Sequence, residues 1–122
     1  MPRDPRAYLW EARRAALQIQ AFVSGRSEQD YGTDAMLRSA VERQFEIIGE
    51  ALSQLSRVDP EMSAKIPDLP RIVAFRNVLI HGYASVDDQL VWDAAASRVD
   101  PLQTLLGELI ESASSVNRAA DE

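Results

Sequence analysis

The chain has 122 residues, 46% hydrophobic and 26% charged, a composition that supports one folded domain and not a disordered segment. It holds no cysteine and a single histidine, which excludes a disulfide scaffold, a thiolate zinc site, a cysteine nucleophile and a multi-histidine metal site within one chain. A formal net charge of −6 argues against a surface that binds polyanions broadly.

The opening "MPRDPRAYLW" lacks the apolar segment of a secretory leader, and the longest apolar run, Ile72 to Phe75, is too short to cross a bilayer. A cytoplasmic protein without membrane association is therefore expected. Asp4-Pro5 supplies an N-cap followed by proline at the first helical position. The helix it opens carries Leu9, Ala12, Ala16, Ile19 and Val23 at spacings of three and four and stops at Ser24-Gly25. The polar connection "GRSEQDYGTD" has room for one helical turn. A second, long helix starts at Thr33 or Asp34 and ends near Arg57, ahead of Asp59-Pro60. Its stripe is Leu37, Val41, Ile48, Leu52 and Leu55, widened by Met36, Ala40, Ile47 and Ala51.

Residues 60–70 read as a loop with a short turn at Glu61 to Lys65. A third helix begins between Asp68 and Pro70 and runs to Gly82, a common C-terminal stop. Asp87 caps a fourth with Leu90, Val91, Ala94 and Ala95. Asp100-Pro101 opens a fifth with Leu102, Leu105, Leu106, Leu109 and Ile110. No period-two runs or hairpin turns occur. The expected fold is all-α: an antiparallel four-helix up-and-down bundle with an additional short helix. It spans residues 1–122 as one domain, with an acidic C-terminus that frays from about 113.

Charge is unevenly distributed. Residues 1–86 hold 11 acids and 11 bases, whereas 87–122 hold 8 acids against Arg98 and Arg118. Between Leu69 and Val86 there is no acid, yet Arg71, Arg76 and His81 all fall there. That pattern fits a local anion site. Within it, Asn77 and His81 lie four apart on one helix face, so the amide can orient the imidazole. Arg76 is about 140° away round the axis and reaches the same spot only through its length. Guanidinium, imidazole, amide and the Tyr83 phenol within eight residues suit a phosphate ligand. Arg76 could instead pair with Glu46 or Glu50 across the bundle. Glu50 either holds Arg76 or His81 in place or is an exposed carboxylate. Trp10 and Trp92 are expected as core or interface anchors and not as base-stacking platforms. Gly49, costly in mid-helix, points to a close helix approach there, with a dimer seam as one candidate. Glu11, Glu42, Glu108 and Glu111 are expected on solvated faces.

R-x-x-x-x-H, with asparagine directly after the arginine and tyrosine two after the histidine, resembles the signature of HEPN domains. The ordered blocks "EIIGEAL" (Glu46 to Leu52), "RNVLIHGY" (Arg76 to Tyr83) and "VDDQLVWDAA" (Val86 to Ala95) resemble the HepT-type branch. These are RNase toxins paired with a minimal nucleotidyltransferase (MNT) antitoxin. The similarity covers roughly Leu37 to Leu102, and the first helix matches only in length and pattern. The resemblance implies a metal-independent endoribonuclease that needs no cofactor and leaves a 2′,3′-cyclic phosphate on RNA. In it His81 is the general base, Arg76 binds the scissile phosphate, and Asn77 holds the imidazole or touches the phosphate. Glu50 and Arg71 are further candidates for support or phosphate contact. A single histidine leaves the leaving oxygen without an acid, a gap that the family's habit of forming homodimers would fill. The resemblance also implies that the MNT partner transfers AMP to Tyr83, adding charge and bulk that block RNA. The competing expectation is a non-catalytic HEPN module that binds, or dimerises beside, a nucleotidyltransferase.

Overall fold

The structure is a computed structural model that describes residues 3–82 and 85–121, and of 116–121 the backbone alone. Tyr83 lies outside the described residues. Seven helices are present among those described, and no strand: α1 (Pro5–Val23), α2 (Glu28–Thr33), α3 (Ala35–Val58), α4 (Pro60–Ser63), α5 (Leu69–His81), α6 (Asp88–Ser97) and α7 (Val99–Asp121).

Aspartates start most of them, because a short carboxylate can take up the N–H groups that a first turn leaves unpaired. Asp4 accepts from the Arg6 N–H at 2.9 Å and Asp34 from the Leu37 N–H at 3.0 Å. Asp59 accepts from Met62 at 3.0 Å, and Asp87 from Gln89 at 3.0 Å. Ser27 and Asp30 close a reciprocal capping box that makes the polar connection after α1 a true short helix, α2. Gly25, with φ +74°, takes the left-handed conformation that turns the chain out of α1. The fifth expected helix starts earlier than Asp100-Pro101. α7 begins at Val99, and Asp100 instead accepts from the Gln20 side chain at 2.7 Å, tying the end of α1 to the start of α7.

That tie and the opposite end of the bundle fix the helix directions. Asp4, Pro5 and Arg6 of α1 share a surface depression with Asp59 at the end of α3 and with Leu109, Ser112 and Ala113 of α7. α1 therefore runs antiparallel to both α3 and α7. α3 is the central element, packed against α1 on one side and α5 on another. The core is the expected stripes meeting: Leu9, Ala12, Ala16 and Ile19 against Val41, Ile48, Leu52 and Leu55, closed by Leu79, Val91 and Leu106. Alanines at 12, 15 and 16 keep the α1 face flat, so the helices approach closely. Two expected core positions fall outside it. Met36 is 82% exposed and Leu90 56%, each at the edge of its helix's apolar stripe and in its first turns.

The "VDDQLVWDAA" block docks α6. Asp87 caps it, Asp88 pairs with Arg38 of α3 at 3.6 Å, and Val91 and Ala95 are buried. Trp92 stacks obliquely on Tyr31 of α2, ring centroids 5.7 Å apart. Tyr31 is 1% exposed, and burial together with Glu42 and Asp88 pushes its phenol pKa up. Glu42 is half-buried here and not on a solvated face. Desolvation first, then Asp88 and Glu46, raise its carboxyl above the ordinary value. A raised pKa means that the folded chain binds this proton more tightly than the unfolded one, so stability falls as pH rises through the Glu42 titration. Glu42→Gln should therefore raise Tm at pH 7, and the gain should vanish below about pH 4, where the carboxyl is protonated in both states. Thermal melts at the two pH values check this.

Candidate active site

The site is built where α5 crosses α3. A Cβ placed on Gly49 would lie 2.7 Å from Arg76 Cγ and closer still to its Cβ, so only glycine lets the two helices meet there. The close approach that Gly49 signals is thus inside the chain, between α3 and α5, and not at a seam between copies. It lays the Arg76 stem against α3 and delivers the guanidinium to the next residue. Arg76 Nη2 donates to Glu50 Oε2 at 2.5 Å, and Nη1 donates to Asn77 Oδ1 at 2.9 Å. Gln54, one turn on, donates to Glu50 Oε1 at 2.8 Å and holds that carboxylate from behind. Of the two acids considered as partners for Arg76, the structure selects Glu50. Glu46 pairs with Arg43 at 3.3 Å instead.

Glu50 and Arg76 form one wall of an open cleft of about 230 Å³, lined also by Glu11, Arg43, Glu46, Ile47, Ala51 and Ile80. Glu11 enters from α1, paired with Arg3 at 2.6 Å. It was expected on a solvated face, and the α1–α3 packing turns it into the cleft. Charges here cancel pairwise: Glu11 with Arg3, Glu46 with Arg43, Glu50 with Arg76. An arginine has five N–H donors. The Nε of Arg76 is buried without an acceptor, and each terminal nitrogen keeps one further N–H beyond the bonds to Glu50 and Asn77. The guanidinium is oriented yet not exhausted.

His81 is the last residue of α5, and it is exposed. The Gly82 N–H closes the helix on the Val78 carbonyl at 2.8 Å. Asn77 is turned toward Arg76, so the expected Asn77–His81 contact is replaced by an Asn77–Arg76 one. Arg71, in the first turn of α5, is exposed and about 15 Å along the helix from His81. It does not line the cleft. Within one chain the structure therefore gathers Arg76, Asn77 and Glu50 and leaves His81 exposed at the end of α5, outside the lining of the cleft. Gln54, Gly49 and Glu11 were not recognised as parts of this site. The Glu50–Gln54 spacing of four was the one signal available for Gln54. Among the described residues, no cluster of three His, Asp or Glu side chains is arranged to hold a metal ion, and no helix is long and apolar enough to cross a membrane.

Gly49→Ala tests the crossing. In an open helix the change would stabilise by about 1 kcal/mol. Here it should destabilise by about 1–3 kcal/mol, because the new methyl meets the Arg76 stem. Urea denaturation gives the sign.

The family described as "Ribonuclease HepT-like" matches residues 12–109, a span that includes the Gly49 crossing, Arg76 and His81. A protein of Caldanaerobacter subterraneus subsp. tengcongensis named "Putative RNase TTE0752" is 29% identical over 109 residues, 89% of this chain and 96% of that protein. "Putative RNase MJ1380" of Methanocaldococcus jannaschii is 33% identical over 92 residues, 74% of this chain and 82% of that protein. "Probable ribonuclease HepT" of Thermococcus cleftensis is 28% identical over 103 residues, covering 84% and 93%. No solved structure matches. With the family's span covering most of the bundle and the all-α architecture agreeing, the chain belongs to the HepT-like ribonuclease family of HEPN domains.

Proposed function

We propose that the protein is a metal-independent endoribonuclease that cleaves RNA through Arg76 and His81. The observation that carries this reading is a guanidinium oriented by Glu50 and Asn77 on the same helix whose exposed last residue is the chain's sole histidine. The neutral His81 imidazole takes the proton from a ribose 2′-hydroxyl. The 2′-oxygen then attacks the adjacent phosphorus while the bond from phosphorus to the 5′-oxygen breaks. Charge that gathers on the phosphoryl oxygens is met by the free N–H groups of Arg76. The products are a 2′,3′-cyclic phosphate and a 5′-hydroxyl, with no external oxidant, metal or cofactor in the balance. The leaving 5′-oxygen needs a proton, and one chain holds one histidine. A two-fold homodimer that brings two α5 ends together supplies a second imidazole as the acid. The exposure of His81 at the end of α5 supports that arrangement.

The biological role in this reading is the toxin half of a toxin–antitoxin pair acting in the cytoplasm. Its antitoxin is an MNT-type nucleotidyltransferase. The partner's chemistry is attack of the Tyr83 hydroxyl on the α-phosphate of ATP, with release of pyrophosphate. An adenylate two residues past His81 in the sequence adds negative charge and bulk that repel RNA. In the competing reading, the bundle binds nucleotide phosphates for its partner without cutting.

An RNA-cleavage assay in EDTA separates these. Wild type should give fragments ending in 2′,3′-cyclic phosphate. Arg76→Ala should lose about 10²–10³-fold in rate, as expected for removing a transition-state donor, and His81→Ala about 10²–10⁴-fold, as for removing a general base. An unadenylated wild-type dimer inert on every RNA class would leave the non-catalytic reading in its place.

A further inference from the structure

Pairing inside the cleft leaves a deficit. Both of its arginines, Arg43 and Arg76, already face a carboxylate, and the chain as a whole carries −6. An RNA strand needs cations that are not already answered. α1 carries two of them, Arg14 at the edge of the cleft and Arg13 toward α7. Trp10, Arg13, Arg14 and Leu17 stand at i, i+3, i+4 and i+7, a stripe beside the buried face of Leu9, Ala12, Ala16 and Ile19, with Arg13 half-buried at its edge and the other three exposed. Trp10 is 54% exposed and Leu17 41%. Arg14 is exposed, and among the described residues neither it nor Arg13 has a carboxylate partner.

Arg13 is held as part of a platform. A Cβ on Gly107 would lie 3.4 Å from its Nε and Cζ, so the glycine of α7 makes the berth in which the guanidinium lies. Its Nε is buried with no acceptor, and its Cζ sits 5.9 Å from the Trp10 ring centre. The stripe meets the active site at one edge: Arg14 lies one turn beyond Glu11, which lines the cleft, while Trp10 faces outward and Arg13 lies on the α7 side.

The geometry points to a single-stranded RNA-binding strip on α1, in which a base stacks on Trp10 and flanking phosphates engage Arg13 and Arg14. It rests on the ribonuclease reading and extends it to how an acidic chain holds its substrate. An exposed indole flanked by two unanswered guanidiniums fits a base with its neighbouring phosphates. A second copy of this chain fits it poorly, because a two-fold axis through the strip would set these arginines against their own copies. Trp10, expected as a core or interface anchor, becomes the stacking surface.

Binding of an end-labelled single-stranded RNA to the full-length His81→Ala chain, titrated at several salt concentrations, tests the strip. Adding Trp10→Ala should weaken binding by about 5–100-fold, the range for one lost base stack. Adding Arg13→Gln with Arg14→Gln should lower the slope of log K against log salt by about 1.4, two phosphate contacts' worth on a single strand. Circular dichroism should be unchanged, since these side chains are outside the core. If wild type cuts RNA but the strip variants bind with the parent's affinity and slope, the strip is wrong and the ribonuclease reading stands. If wild type neither cuts nor, as His81→Ala, binds any RNA, both fall together. Sedimentation of the variants as a smaller species than the parent would overturn the strip in favour of a contact between copies.

Discussion

Everything at the site depends on two helices being allowed to touch at Gly49. A helix interior favours alanine over glycine by about 1 kcal/mol, so the glycine is a local cost in α3. What it permits is the crossing of α5 at Arg76, close enough that a single methyl would collide with the arginine stem. Once that stem lies flat on α3, the guanidinium arrives beside Glu50, the residue that follows the glycine, and Gln54 fixes the carboxylate from the next turn. Packing thus places the charge, and the charge pair then orients the donors. An arginine pointed by its own helix alone would be one of several mobile surface cations.

Electrostatic economy runs through the rest of the molecule. The cleft acids each have an arginine, Asp88 has Arg38, and the one crowded carboxylate, Glu42, carries a raised pKa because burial and two like charges face it. Surface pairs of this kind contribute little to stability. Their larger effect is on recognition, since a paired cation is partly spent before a phosphate approaches. An acidic chain that acts on RNA must keep some arginines unpaired, and among the described residues Arg13 and Arg14 of α1 have no carboxylate partner.

Much of the fold was legible because its signals are local. Asp-Pro starts, glycine stops and stripes at three and four residues placed α1, α3, α5 and the start of α7 within about two residues. The short α2 was visible only as room for one turn, and its Ser27–Asp30 box explains why it forms. Misreadings came where tertiary contact decides. Asp100 reads as a cap from its neighbours, yet it bonds across the bundle to Gln20. Asn77 shares a face with His81, but the arginine beside it competes for the same amide oxygen and wins. Glu11 and Trp10 are adjacent, and only the packing of α1 shows that one enters the cleft while the other faces out. Arg76, Asn77 and His81 were recognisable as a set through family resemblance. The Glu50 pairing remained one of two options until the crossing at Gly49 fixed the register of α5 on α3.

Cleavage that uses the substrate's own 2′-hydroxyl, without a metal ion, is the step on which the proposed function rests. The most direct measurement presents the enzyme, in EDTA, with an RNA it cleaves and with the same RNA carrying a 2′-O-methyl at the nucleotide 5′ to the scissile bond. Cleavage of the first, with a 2′,3′-cyclic phosphate end, and full resistance of the second is the predicted result. Cleavage of the methylated strand at the same bond, or activity that returns only when magnesium is restored, would contradict it.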